Sequence, residues 1–334
     1  MRRARAASRI DGSDVLRHAT VSPATLENYK NAVHHFEAFV TRRRWSLQPQ
    51  SLCRTMERFF WHHANLGFSS AIGRHTLYGW LHLRCPNKSV ESNQLANARE
   101  AINGWRKLNG DDSRDPLPEE IYLSAAHRLV MTRKPLTAAA TFCQAQLYLR
   151  PSELLCLRPE DVLLPVRGAH RYKSTGVVIA PRELGRTTKA RSHDDTILAD
   201  RQCHEALASV LAELVRIRSS EERLFPLTLN CYEKRLRDVG SAMGLPVDFV
   251  PHTLRHCGPA NDLFFERRDM AAVAKRGRWA SLKSVQRYGK SGRLIKIWRQ
   301  IAESDRVLWT ARASNFGAVL LAALRRLPIG YCGS

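Results

Sequence analysis

The sequence predicts a mainly α protein of the α+β type, in which an N-terminal helical bundle precedes a larger, mostly helical domain carrying a small antiparallel sheet. Three observations predict it. From Ser22 to about residue 108 the apolar residues follow helical periodicity, with no strand-like run among them. A polar, turn-rich stretch, "LNGDDSRDPLP", then interrupts the chain and reads as a linker. Beyond it the helical patterns are broken once, by the short β-branched runs "TGVVIA" and "DTILA" on either side of a polar segment, the pattern of a long hairpin. At 334 residues the chain exceeds one usual domain, so two of unequal size are expected.

Taken in order, residues 1–20 form a basic arm expected to be disordered, and residues 21–108 the bundle. Its first helix has Ser22 as N-cap, Pro23 at the first helical position, and a stripe of Leu26, Tyr29, Val33, Phe36 and Phe39 or Val40. Further helical patterns over 52–66, 69–84 and 92–108 complete four amphipathic helices. The linker occupies 109–118. Helices over 119–131 and 135–148 lead into "LYLRPSELLCLRPEDVLL", the sheet follows, and helical periodicity returns from about residue 200. The second domain is placed at 119–300. A tail over 301–334 carries the stripe Phe316, Val319, Leu320, Ala323, Leu324 and Leu327.

Lys and Arg number 53 against 31 Asp and Glu, a formal charge of +22. Self-repulsion on that scale points to an anionic partner, nucleic acid first; the alternative is a solubilising surface, although such surfaces mix both signs. The basic residues recur at "TRRRW", "EKRLRD", "ERRDMAAVAKRGR" and "LRRL", a spread suited to wrapping a duplex. The opening "MRRARAASR" fits a nuclear-import signal or a DNA-contacting arm. Eight cysteines occur without a CxxC or zinc-finger spacing, which reads as reduced thiols in an intracellular protein. No uninterrupted apolar run approaches the roughly 20 residues that span a bilayer, and no h-region follows the basic start. The expectation is a soluble protein without a membrane partner.

Three stretches carry the candidate chemistry. In "YLRPSELLCL", Pro151 suits the first position of a helix, which sets Arg150 at a helix N-terminus where an anion is welcomed by free N–H groups and guanidinium together. Arg150 is either a phosphate seat or a surface arginine paired with Glu153. In "PHTLRH", His252, Arg255 and His256 fall at i, i+3 and i+4 on one helical face, offering a fork for two phosphate oxygens and imidazoles that exchange protons near neutral pH. In "GRWASLKSVQRYGK", Ser281 caps a short helix and Gly289 ends it, with Leu282, Val285 and Tyr288 on one stripe. By itself such a tyrosine is packing material before it is a nucleophile.

These stretches, in this order and at the family's separations, resemble the tyrosine recombinases, or phage integrases. The likeness covers roughly residues 22–300, including "SPATLENYKNAVHHFEAFV", which resembles the family's SAM-like, DNA-clamping domain. The resemblance implies that Arg150 and Arg255 grip the scissile phosphate, that Glu153 supports the first, that His252 handles a proton, and that Tyr288 is the nucleophile. Trp279 stands where many members have His and Cre-like members have Trp. Lys189, between the two strands, matches the hairpin lysine that protonates the leaving oxygen, with Lys173 as the alternative. His256 is a supporting residue, and Arg158, in the second "LRP", is set aside because Glu153 follows Arg150 at the family's spacing. Pro259 departs from the pattern and implies a local helix break.

The implied activity is site-specific recombination of double-stranded DNA through a 3′-phosphotyrosyl intermediate, with no cofactor and no metal. The implied assembly is a homotetramer in the synaptic complex and a monomer or weak dimer when free, associated with DNA in the nucleus or nucleoid. In this family a C-terminal helix often docks on a neighbouring protomer; packing on its own domain is the alternative for 301–334. A type IB topoisomerase shares the chemistry, and a DNA-binding protein that has lost catalysis is the rival of another class.

Overall fold

The computed structural model describes residues 20–85, 92–109, 115–166, 168, 173–181, 193–286, 288–289 and 291–331. The basic arm up to residue 19, residues 110–114 of the linker, and Lys189 lie outside the described residues. The chain divides into two units, Met1–Asp112 and Ser113–Ser334.

In the first unit, helix α1 (Pro23–Arg43) starts where the Ser22 hydroxyl accepts the Thr25 N–H at 3.1 Å, with Pro23 in the first turn, and ends on Arg44 in left-handed backbone, φ 57°. Helices α2 (Pro49–Asn65), α3 (Ala71–Leu83) and α4 (Ala96–Leu108) follow, the last preceded by a 3₁₀ turn, Ser92–Leu95. Helix α1 packs on α3 and α2 on α4. Their apolar stripes meet in a core of Phe36, Phe59, Phe60, Trp80 and Trp105, where Phe36 stands edge-on to Phe59 at 5.1 Å and to Trp80 at 5.6 Å. Of the predicted α1 stripe, Val33, Phe36 and Val40 are buried, and Leu26, Tyr29 and Phe39 lie at its edge.

The second unit is built on helix α6 (Pro135–Gln146), all of whose residues are buried. Helix α5 (Glu119–Met131) precedes it; α7 (Pro151–Cys156) follows, then a 3₁₀ turn and strands β1 (Val162–Leu163), β2 (Gly176–Ile179) and β3 (Asp195–Leu198). The antiparallel sheet has the order β1-β2-β3, with Val162 opposite Val177 and Val177 opposite Ile197. Two residues are too few to leave a period in the sequence, so β1 adds a third strand to the expected hairpin. Helices α8 (Leu207–Ile217), α9 (Leu229–Ala242), α10 (Pro251–Phe264), α11 (Met270–Gly277), α12 (Leu282–Gln286), α13 (Ser291–Gln300) and α14 (Glu303–Arg325) complete the unit.

One expectation changes. Helix α10 runs through Pro259 without breaking, although an interior proline costs about 3 kcal/mol. Packing outweighs that cost. Gly258 presses against the end of α6, where a Cβ would stand 2.1 Å from the Ala145 carbonyl oxygen, and the Asn261 amide donates to Leu117 O and Cys257 O, both at 2.8 Å. Helix α14, long and apolar enough by composition to cross a membrane, lays its buried face of Trp309, Ala313, Phe316, Gly317, Leu320 and Leu324 on α5 of its own unit. Val319, Ala323 and Leu327 lie at the edge of that contact.

Candidate active site

Pro151 opens α7, and its fixed φ leaves Arg150 extended at the N-cap. Glu153, one turn in, accepts the Arg150 backbone N–H at 2.8 Å and the Arg150 guanidinium at 2.5 Å. The carboxylate does not stop there. It also accepts the Arg278 guanidinium at 2.5 Å, and the Arg255 guanidinium stands 3.9 Å away. The pairing that the sequence left as an alternative for Arg150 is therefore present, but as one arm of a cluster of three arginines around one buried carboxylate.

Arg255, on α10, is 5% exposed. Its two terminal nitrogens donate to the carbonyls of Tyr148 and Gly277, the latter at 2.9 Å, and its guanidinium carbon lies 5.0 Å from the centre of the Trp279 ring. Tyr148 turns its carbonyl that way because, two residues past the end of α6, it adopts left-handed backbone, φ 53°, held by its buried hydroxyl, which donates to Asp262 at 2.5 Å. Burial, with Arg150 beside it, lowers the Arg255 pKa to about 10, while Glu153 pulls the other way. The guanidinium stays charged at neutral pH. Burial likewise raises the Glu153 pKa, but Arg278, the Arg150 N–H and the Arg150 and Arg255 guanidinia outweigh it and leave the carboxyl below its ordinary value.

On the same helix His252 is exposed and His256 half-buried. Helix α11 ends in a left-handed turn at Arg278, φ 55°, with the Arg278 N–H bonded to Lys275 O and the Trp279 N–H to Ala274 O. The turn folds the indole back over Gly277, where a Cβ would lie 1.9 Å from the ring. Tyr288 follows α12 with its N–H on Val285 O at 2.8 Å. Its ring is 4.4 Å from that of Trp279 and 4.8 Å from that of His256, centre to centre. Val285 is fully buried against Tyr148, Val273 and Ala274. Leu282, expected on the same stripe, is instead 52% exposed.

The structure thus brings Arg150, Glu153, Arg255, His256, Trp279 and Tyr288 together, with His252 one turn earlier on α10. Lys189 lies outside the described residues; Lys173 is exposed just before β2. Arg158 pairs with Glu160 at 3.7 Å and takes no part in the cluster. Four residues of the site escape a reading by motif: Tyr148, Gly258, Gly277 and Arg278. Arg278 had a signal, since it directly follows an amphipathic run whose last turn ends in glycine.

Chemically, the cluster is an anion seat. Three guanidinia around one carboxylate leave a net positive charge of about two, reduced by Asp195, 3.9 Å from Arg278. At an effective dielectric of about 20, each unit charge at about 4 Å is worth roughly 4 kcal/mol to an incoming anion. A half-buried phenol stands beside it, between an imidazole and an indole.

No protein-family model matches the chain, and no curated protein does. Solved structures do. The crystal structure of XerA recombinase matches with a TM-score of 0.37 at 17% identity, over 81% of this chain and 98% of that one. XerH site-specific recombinase bound to difH substrate, in a pre-cleavage complex, matches at 0.39 and 16%, over 73% and 75%. XerH bound to palindromic difH substrate, in a post-cleavage complex, matches at 0.50 and 17%, over 74% of this chain and 70% of that one. At that identity the likeness is one of architecture: over about three quarters of its length the chain shares the fold of XerH.

Proposed function

We propose that the chain is a site-specific DNA recombinase of the tyrosine recombinase family, which cuts and rejoins strands through a covalent 3′-phosphotyrosyl intermediate at Tyr288. The observation that carries this reading is the placement of Tyr288 in ring contact with His256 and Trp279, on the rim of the Arg150–Glu153–Arg255 cluster. A tyrosine kept only for packing has no need of that company. The formal charge of +22 and the shared fold with a recombinase solved on its DNA substrate support DNA as the partner.

In the proposed reaction the Tyr288 oxygen attacks the scissile phosphorus as the bond to the 5′ oxygen breaks. Arg150 and Arg255 stabilise the charge that builds on the non-bridging oxygens, fixed beforehand by the Glu153 carboxylate and by the Tyr148 and Gly277 carbonyls. The phenol proton passes to an imidazole, His252 or the adjoining His256, and the leaving 5′ oxygen takes one from Lys189. The phosphotyrosine keeps the energy of the broken bond, so a second 5′ hydroxyl reverses the step without a nucleotide cofactor. The helical unit of residues 21–108 is read as a DNA-clamping domain, and a tetramer on two sites as the working assembly.

The test is covalent trapping on a nicked duplex. The wild-type protein is expected to yield an adduct that survives denaturant, and Tyr288→Phe none; an adduct formed by Tyr288→Phe would overturn the reading. Relaxation of a supercoiled plasmid without any preferred site would move it to a type IB topoisomerase.

A further inference from the structure

Glu153 offers two oxygens, and three cations compete for them. The Arg150 guanidinium takes Oε1 at 2.5 Å, the Arg278 guanidinium takes Oε2 at 2.5 Å, and Arg255 stands 3.9 Å from Oε2. Arg278 is the member that the phosphate reading does not use, yet the fold accepts real costs to hold it. Its backbone is left-handed, φ 55°, a conformation better suited to glycine. Its side chain is 9% exposed, and its Nε is buried without a hydrogen-bond partner.

We propose that Arg278 is a positioning residue, which clamps the second oxygen of Glu153 so that Arg150 keeps its place and Arg255 keeps its charge for the phosphate. The inference rests on the phosphotyrosyl reading above. Without Arg278 the carboxylate is balanced only by Arg150 and Arg255, and both are drawn toward it. The net charge of the seat then falls from about two to about one, and the fork of Arg255 is pulled from the Tyr148 and Gly277 carbonyls that aim it.

The clamp has a pH signature. The charged groups facing Glu153 are Arg150 at the start of its own helix, Arg255 on α10 and Arg278 after α11, with Asp195 of β3 beyond Arg278. Burial raises the carboxyl pKa and these arginines lower it, Arg278 most of all. Removing Arg278 therefore raises it, and the pH at which protonation of Glu153 frees Arg150 moves up.

The experiment compares the full-length protein with Arg278→Gly, Arg278→Lys and Arg278→Gln in single-turnover adduct formation on a nicked duplex across the acid limb of the pH profile, alongside the duplex dissociation constant. Glycine fits the left-handed backbone, so the first variant is expected to fold, which a thermal melt checks. Expected are a cleavage rate reduced roughly 10- to 100-fold, the size seen when a supporting shell is removed, little change in duplex affinity, and an acid limb displaced to higher pH. Arg278→Lys is expected to recover part of the rate and Arg278→Gln none. A folded Arg278→Gly protein with the wild-type rate and pH limb overturns the inference alone, as does a rate loss matched by the loss of duplex affinity. Absence of any adduct from the wild-type protein overturns the phosphotyrosyl reading, and this inference with it.

Discussion

The two sides of the candidate site are built on opposite plans. On the cation side Arg255, Glu153 and Arg278 are nearly buried, and helices α7, α10 and α11 fix them through carboxylate and carbonyl bonds. On the nucleophile side Tyr288 is half-exposed and follows a five-residue helix, whose one fully buried anchor among the described residues is Val285. The difference teaches a division of labour. Charge stabilisation is worth most when its dipoles are fixed before the substrate arrives, so the cations are locked. In the proposed reaction the phenol has to travel to phosphorus, back off and release a strand, which fits a segment with little to hold it. The prediction is that damage to the cation side costs stability and activity together, while damage to the nucleophile side costs activity alone.

The largest effect is expected from Tyr288→Phe, which keeps the ring contacts and removes the oxygen that attacks in the proposed reaction. Covalent adduct should vanish, while stability to urea changes by less than about 0.5 kcal/mol; a markedly less stable Phe variant would break the contrast. Next comes Arg255→Ala. It should slow adduct formation by roughly 10²- to 10³-fold, the scale of losing a fixed transition-state donor. It should also destabilise the second unit by about 3 kcal/mol, since it leaves buried acceptors and a carboxylate short of a partner. An Arg255→Ala protein that melts like wild type would show that the cluster is not structural.

Two smaller effects sharpen the comparison. Gly277→Ala places a Cβ against the Trp279 ring, so the indole must move and Tyr288 with it. A drop in cleavage of about 10-fold with duplex binding unchanged is expected, since small misplacements of reacting groups are costly. Glu153→Gln, compared with wild type across pH, isolates the carboxylate. The folded-state pKa of Glu153 lies below its ordinary value, so its contribution to stability is fully present above the unfolded value of about 4.3. That contribution is lost as pH falls through the lower, folded value. The stability gap between the two proteins should close in that acid window and stay constant above it, as denaturant titrations at each pH would show.

Much of the site was legible because its chemistry is carried by short, local patterns. Pro151 predicts a helix start that fixes Arg150, and the i, i+3, i+4 spacing puts Arg255 beside His252 and His256 on one turn. What escaped depends on the backbone rather than on residue type. Tyr148 and Arg278 matter because each sits in left-handed backbone, which no periodicity reveals for a non-glycine residue. Gly258 and Gly277 matter because another group lies where a Cβ would be. Pro259 misled for the same reason: the rule that proline ends helices is local, whereas the contacts of Gly258 and Asn261 that carry α10 through it join segments far apart in sequence. The starts of α1 and α6 were legible, since Ser22 with Pro23 and Pro135 punctuate them. The two-residue strand β1 was not.

The two carbonyls that aim Arg255 belong to residues 107 and 22 positions away along the chain. The seat therefore cannot exist until the end of α6 and the end of α11 have both been laid down and brought to α10. In folding terms it is a product of late, non-local closure, with its entropic cost met before its contacts form. A chain emerging from the ribosome would expose its basic helical unit to nucleic acid well before it possessed a competent seat. Substitutions at Tyr148, Arg255 or Gly277 would then accelerate unfolding far more than they slow folding.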